Sequence, residues 1–175
     1  MEHDPTPTAL EAPLMARLDA LGITVETHRH PPVYTVAEAK ALRGELPGAH
    51  IKNLLLRDRK RRLWLLTVLE DRRLDLKALR AVLGARGGLS FASAELLWET
   101  LGVRPGAVTP LAAINDLEQR VTVVLDRGLE QQPWVNCHPL HNAATTAMRP
   151  ADLVRFLVAC EHPPEWLSTD TSSGE

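Results

Sequence analysis

Leucines at 10, 14, 18 and 21 repeat with the three-to-four spacing of one helix face. Gly22 ends that run. Ile23 to His28 then alternates apolar and polar positions, the period of a half-buried strand. Pro31-Pro32 forces an extended link. Thr35, with Glu38 three residues on, forms a capping box that predicts a helix through Ala41. Ile51–Arg57 and Leu63–Leu69 are apolar runs joined by the polar segment Asp58–Arg62, which predicts a hairpin.

Asp75 can cap a helix to Leu83, and Leu89–Phe91 reads as a short strand. Ser93 can cap a helix ending at Leu101-Gly102, with Leu96, Leu97 and Leu101 on one face. Val103 to Pro110 is a Gly/Pro loop. Arg120–Leu125, Trp134–Cys137 and Ala143–Met148 read as strands, and Pro150 opens a last helix to about Cys160. The expected fold is therefore α/β (or α+β), with a mixed, largely antiparallel sheet. A single domain is expected over residues 10–160, with tails at 1–9 and 161–175.

Composition narrows the function classes. A chain of 175 residues with 45% hydrophobic and 24% charged positions has the make-up of an ordinary globular domain. No apolar stretch approaches the roughly 20 residues of a membrane span, and Met1–Pro7 lacks the pattern of a signal peptide. Two cysteines are too few for a disulfide framework, so free thiols and a cytoplasmic setting are the expectation. The formal charge of −2 is unevenly spread. Residues 1–21 carry −3 and residues 160–175 carry −4, which leaves +5 on the body between them. Such a body suits transient contact with RNA better than tight, indiscriminate binding.

The candidate chemistry is sparse. No P-loop, no GxGxxG after a strand and no GxSxG elbow is present, which argues against kinase, Rossmann and α/β-hydrolase chemistry. His28-x-His30 and Cys137-His138-x-x-His141 do not match a common zinc spacing, and backbone-bonded or pocket histidines explain them better than a metal site. Lys52 stands at a strand start before a run of leucines. It reads either as an edge-strand gatekeeper or as a cation aimed at a phosphate or developing oxyanion. Gly102–Pro110, with two glycines and two prolines, reads as a rigid connection or as a preformed ligand wall. Basic residues cluster at Arg57, Arg59, Lys60, Arg61 and Arg62, then at Arg72 and Arg73. They form either a solvated hairpin tip or an RNA-backbone contact.

Five segments in order carry a family resemblance. They are His30–Thr35 (HPPVYT), Gly48–Asp58 (GAHIKNLLLRD), Leu89–Ser93 (LSFAS), Leu101–Pro110 (LGVRPGAVTP) and Asn136–Ala147 (NCHPLHNAATTA). Together they resemble the YbaK/prolyl-tRNA-synthetase-associated editing domain, its free-standing PrdX-like deacylase branch in particular. The resemblance implies a curved mixed sheet flanked by helices, and hydrolysis in trans of mischarged aminoacyl-tRNA, with Ala-tRNA(Pro) as the expected substrate. It implies no metal, no cofactor and no covalent intermediate. It maps catalytic roles onto Lys52, Asn53 and His138, and substrate contacts onto His30, Tyr34, Thr35, Gly106, Val108, Thr109, Pro110 and Asn142. The implied partners are the tRNA acceptor end, reached by the basic residues named above, and prolyl-tRNA synthetase. Ala107 and Leu111 stand where the family pattern has Ser and Phe. Deacylation of Cys-tRNA or Ser-tRNA, or a non-catalytic RNA- or synthetase-binding role, are the competing expectations.

Overall fold

The computed structural model describes residues 4–32, 37 and 48–168. Helix α1 spans Pro7–Ala20. It starts a turn earlier than the leucine period alone predicts, because Thr6 caps it by accepting from the Ala9 amide at 3.2 Å and Pro7 fits its first turn. Strands follow at β1 (Glu26–Arg29), β2 (Ala49–Arg57) and β3 (Leu63–Leu69). Then come α2 (Leu76–Leu83), β4 (Ser90–Phe91) and α3 (Ala94–Leu101), each helix capped as expected, by Asp75 and by Ser93. A 3-10 turn at Pro110–Asn115, strand β5 (Val121–Asp126) and a second 3-10 turn at Arg127–Gln131 come next. Strands β6 (Val135–Cys137) and β7 (Ala144–Met148), helix α4 (Pro150–Ala159) and strand β8 (Glu165–Leu167) complete the order.

The strands form one mixed sheet in the order β1-β7-β6-β2-β3-β5-β8, with β4 paired to β2. Among the described residues four pairings are antiparallel and three are parallel, the mixed and mainly antiparallel sheet that was expected. The parallel pairings are β5 beside β3, β8 beside β5 and β6 beside β2, each reached by a connection longer than a hairpin. Strand β8 corrects the expected tail at 161–175: Glu165–Leu167 pairs with β5 and Leu167 is fully buried. The expected tail at 1–9 is likewise shortened, since Pro7 to Ala9 are helical and Asp4 pairs with Arg104 at 2.6 Å. The predicted helix from Thr35 to Ala41 lies outside the described residues.

The two faces of the sheet differ. On one, Leu55, Leu65, Val123, Val135 and Met148 pack with α1, α3, α4 and the first 3-10 turn into the main core. On the other, α2 covers β3, β5 and the end of β2 through Leu56, Trp64, Leu66, Val68 and Leu79. Side chains alternate along each strand, so register decides which face each residue serves. No helix among the described residues is long and apolar enough to cross a membrane.

Candidate active site

The alternation separates two neighbours that the family resemblance places together. Lys52 opposes Val68, which belongs to the α2-covered cluster. Asn53 opposes Thr67, beside Leu65 of the main core. The two side chains therefore project from opposite faces of β2. Asn53 is occupied by structure: its Oδ1 accepts from the buried Thr67 hydroxyl at 2.6 Å. This cross-strand bond corrects the expectation that Asn53 acts beside Lys52.

Lys52 is half-buried, and its ammonium donates to the Arg72 carbonyl. The position of that carbonyl is set by a buried ion pair. The Arg72 guanidinium bonds Asp126 at 2.9 Å and also donates to the Ser168 carbonyl. Asp126 in turn accepts from the amides of Leu69, at 3.1 Å, and Gly128, at 2.9 Å. An ammonium has three protons, so the bond to Arg72 leaves two to meet a ligand. Arg72 itself, with 7% of its side chain exposed, is thus a buttress and not part of the exposed basic surface expected from sequence.

His138 follows β6 directly. Val135 and Cys137 of β6 belong to the main core, so Asn136 projects from the face that Lys52 serves, and near His30, which bonds Thr145 on that face, lies His138. Its imidazole is largely buried, and Nδ1 makes no hydrogen bond among the described residues. Burial pushes the His138 pKa below its ordinary value, against the pull of the Ala144 backbone, and the nearby His30 and His141 lower it further. The ring is therefore neutral at pH 7, and a neutral ring can take or orient a proton of water.

His30 joins this face through its neighbour on β7. Its Nε2 meets the Thr145 hydroxyl at 2.8 Å and its Nδ1 meets the Pro31 carbonyl at 2.9 Å. His141 sits behind, buried, with Nδ1 accepting from the Ala143 amide at 3.0 Å and Nε2 3.5 Å from Glu11 of α1. Burial lowers the His141 pKa, Glu11 opposes that, and Arg29 and His30 add to it. Arg29 bonds the same Glu11 carboxylate. Asn142 is half-buried in the same β6–β7 loop. Among the described residues no cluster of His, Cys, Asp or Glu could hold a metal ion.

The Gly106–Pro110 loop is built on the other face. Leu111 belongs to the main core, Val108 packs against it, and Ala107 is buried. Thr109 is buried and caps the 3-10 turn by accepting from the Leu111 amide at 3.3 Å, and Pro110 opens that turn. Thr109 and Pro110 thus hold the local structure of this loop. Gly106 is exposed at φ +91°, a conformation that favours glycine. Tyr34 and Thr35 lie outside the described residues.

The basic hairpin tip divides in two. Asp58 is buried and accepts from the Arg62 amide at 2.9 Å, the Arg62 Nε at 3.0 Å and the Arg86 amide at 2.9 Å. Burial alone would raise the Asp58 pKa, but these bonds outweigh it and hold the carboxyl below its ordinary value. Arg62 also donates to the Gly84 carbonyl at 2.6 Å, so it is structural. Arg57, Arg59, Lys60, Arg61 and Arg73 are exposed. Thr145, Asp126 and Glu11 are site-building residues that sequence reasoning missed. The Asp126-Arg-Gly128 turn was the one local signal among them.

Comparison with known proteins places these residues in context. The model of the aminoacyl-tRNA editing domain matches residues 30–156, a span holding Lys52 and His138. The prolyl-tRNA synthetase associated domain-containing protein 1 of Danio rerio is 44% identical over 166 residues, covering 94% of this chain and 90% of that protein. The prolyl-tRNA editing protein ProX of Acetoanaerobium sticklandii is 37% identical over 147 residues, covering 83% of this chain and 89% of that protein. Among solved structures, a hypothetical protein, APE2540, superposes with a TM-score of 0.68 at 25% identity, over 87% of this chain and 96% of its own. A candidate trans-editing enzyme for prolyl tRNA synthetase superposes with a TM-score of 0.70 at 21% identity, over 91% of this chain and 95% of its own.

Proposed function

Since the chain belongs to the aminoacyl-tRNA editing domain family, we propose that it is a trans-editing hydrolase that deacylates mischarged tRNA, with Ala-tRNA(Pro) as its main substrate. The observation that carries this reading is a half-buried lysine and a neutral, half-buried histidine with an unbonded ring nitrogen set at neighbouring strands of one sheet. An aminoacyl ester is already activated, so neither a protein nucleophile nor a metal is required. Water attacks the ester carbonyl, the carbonyl electrons become an oxyanion, and the C–O bond to the terminal ribose then breaks. Lys52 supplies positive charge for the oxyanion or the adjacent terminal phosphate. His138 orients the water or accepts its proton, and the released ribose oxygen takes a proton as it leaves. His30 and Thr145 stand beside His138 as contacts for the aminoacyl group.

Alanine as substrate follows from size. A synthetase pocket built for proline rejects the smaller alanine by only about 1–3 kcal/mol, so a second site that admits alanine and excludes proline adds the missing discrimination. The name of the ProX relative supports tRNA(Pro) as the carrier.

The test is deacylation of tRNA(Pro) charged with alanine, cysteine, serine or proline. Wild type is expected to release alanine fastest and to spare proline. Lys52→Ala is expected to slow release about 10²–10³-fold, the cost of deleting one oxyanion-stabilising group. Wild-type rates in that variant would overturn the assignment of Lys52, and preference for cysteine or serine would overturn the assignment of alanine.

A further inference from the structure

Beyond the deacylation site, one end of the sheet carries a basic cleft and an exposed aromatic ring. The cleft, of 720 Å³, lies between the β2–β3 hairpin and α3, lined by Arg57, Arg59, Arg61 and Arg120, with Glu99 and the Arg62-bonded Asp58 as the opposing charges and Ser90 of β4 at one edge. All four arginines are exposed, and none makes an ion pair among the described residues. Arg120 comes from the far side of the fold in sequence, brought there because β5 runs parallel to β3, with Val121 beside Leu63.

The cleft is rigidly made. Buried Asp58 ties the hairpin tip to the 84–88 loop through Arg62 and Arg86. The Arg59 amide donates to the Arg86 carbonyl at 2.9 Å. Gly87, at φ +76°, lets Arg59 lie against its backbone, since a Cβ there would fall 2.8 Å from that of Arg59. This Gly-rich loop therefore serves to aim the arginines.

Phe91 follows Ser90 and is 62% exposed. It opposes Leu56 of β2, so it projects from the face that Lys52 serves, four residues further along. That separation is about 13 Å along the strand. Lys52 and Phe91 thus share one face of the sheet, with Leu56, the partner of Phe91 on β2, buried under α2, and the two-residue edge strand that carries Phe91 borders the arginine cleft through Ser90. An aromatic platform followed by a cationic groove is the chemistry that holds single-stranded nucleic acid.

Resting on the deacylase reading for the identity of the RNA, we propose that Phe91 stacks on an unpaired base of the substrate's 3′ tail, and that Arg57, Arg59, Arg61 and Arg120 hold the phosphates that follow. The site admits RNA with an unpaired end and discriminates against blunt duplex.

The test uses the full chain and uncharged RNA, so its outcome does not depend on ester hydrolysis. Fluorescence anisotropy compares a hairpin RNA with an unpaired 3′ tail and the same hairpin made blunt. Wild type is expected to prefer the tailed RNA. Phe91→Ala is expected to weaken binding of the tailed RNA about 5- to 150-fold, and Phe91→Trp to retain it. The double change Arg57→Gln and Arg120→Gln is expected to reduce the slope of log affinity against log salt by about 1.4–1.8. Equal binding of tailed and blunt RNA, wild-type affinity in Phe91→Ala, or an unchanged salt slope in the double variant would overturn the proposal. Tail-dependent binding through Phe91 in a chain that releases no amino acid would uphold it while the deacylase reading falls.

Discussion

His138 has a chemical state that burial dictates. A protonated ring in that position would lie close to His30 and His141 with little solvent to screen it, so the charged form is disfavoured and the pKa lies below its ordinary value of 6.5. If the neutral ring works with water, activity should stay level as pH falls from 8 to 6.5 and drop only once the depressed pKa is crossed. Rates of deacylation across pH check this, with the intrinsic alkaline hydrolysis of the ester subtracted. In His138→Gln the acid limb is expected to vanish together with most of the rate. A limb that persists unchanged would place the titrating group elsewhere.

From its own residues Lys52 read either as an edge-strand gatekeeper or as a functional cation, and the family resemblance alone gave it a catalytic role. The same strand's period of two puts Lys52 and Asn53 on opposite faces, although the resemblance had set them side by side, and the Thr67 bond marks that separation. What no local pattern could give is the meeting of His30, Thr145 and His138. They come from β1, β7 and the end of β6, strands that lie side by side only through the order in which the sheet is assembled.

At the scale of elements, the β2–β3 hairpin shows what a single buried carboxylate does. Asp58 satisfies two backbone amides and one guanidinium nitrogen, joining the tip to the loop after α2. Asp58→Asn keeps the shape but removes the charge and turns one acceptor into a donor facing donors. It is expected to destabilise the protein by about 1.5–3 kcal/mol, read from denaturant midpoints. The pH dependence has a definite sign. Because the folded pKa lies below the ordinary 3.8, the stabilisation is present above the unfolded value and is lost as pH falls through the folded one. The difference in stability between wild type and variant should therefore be level at neutral pH and shrink under strong acid.

Elements with their own start signals were legible: Asp75, Ser93 and Pro150 each open the helix they announce. Strand β8 was not, because three residues after His162-Pro-Pro carry no period and become a strand only by docking beside β5. The boundary of β1 moved for a related reason. The Ile23 amide is taken by the Leu18 carbonyl as the helix closes, so the extended segment pairs only from Glu26.

Across the whole molecule, the sheet sorts its tasks by face and by end. The main core and its helices fill one face, α2 seals half of the other, and the remaining half presents Lys52, His30, Thr145 and His138. The net charge of −2 is no guide to this arrangement, since the free arginines gather at one end of the hairpin. Charge sums describe solubility, whereas charge placement describes partners.

Cys137 lies between Asn136 and His138 in β6, 1% exposed, its thiol pushed up to about 12 by burial. Cys160 lies beyond α4, only partly buried. The chain thus holds two thiols at different depths, and they can serve as paired clocks. With a neutral thiol reagent, Cys160 is expected to label through small local fluctuations. Cys137 should wait for the separation of β6 from its neighbours and label orders of magnitude more slowly, as peptide mass spectrometry would resolve. Equal labelling rates would mean that β6 opens as readily as the end of α4. Because Cys137 adjoins His138, its clock also times how often the face proposed for deacylation comes apart, and bound aminoacyl-tRNA should slow it if that proposal holds.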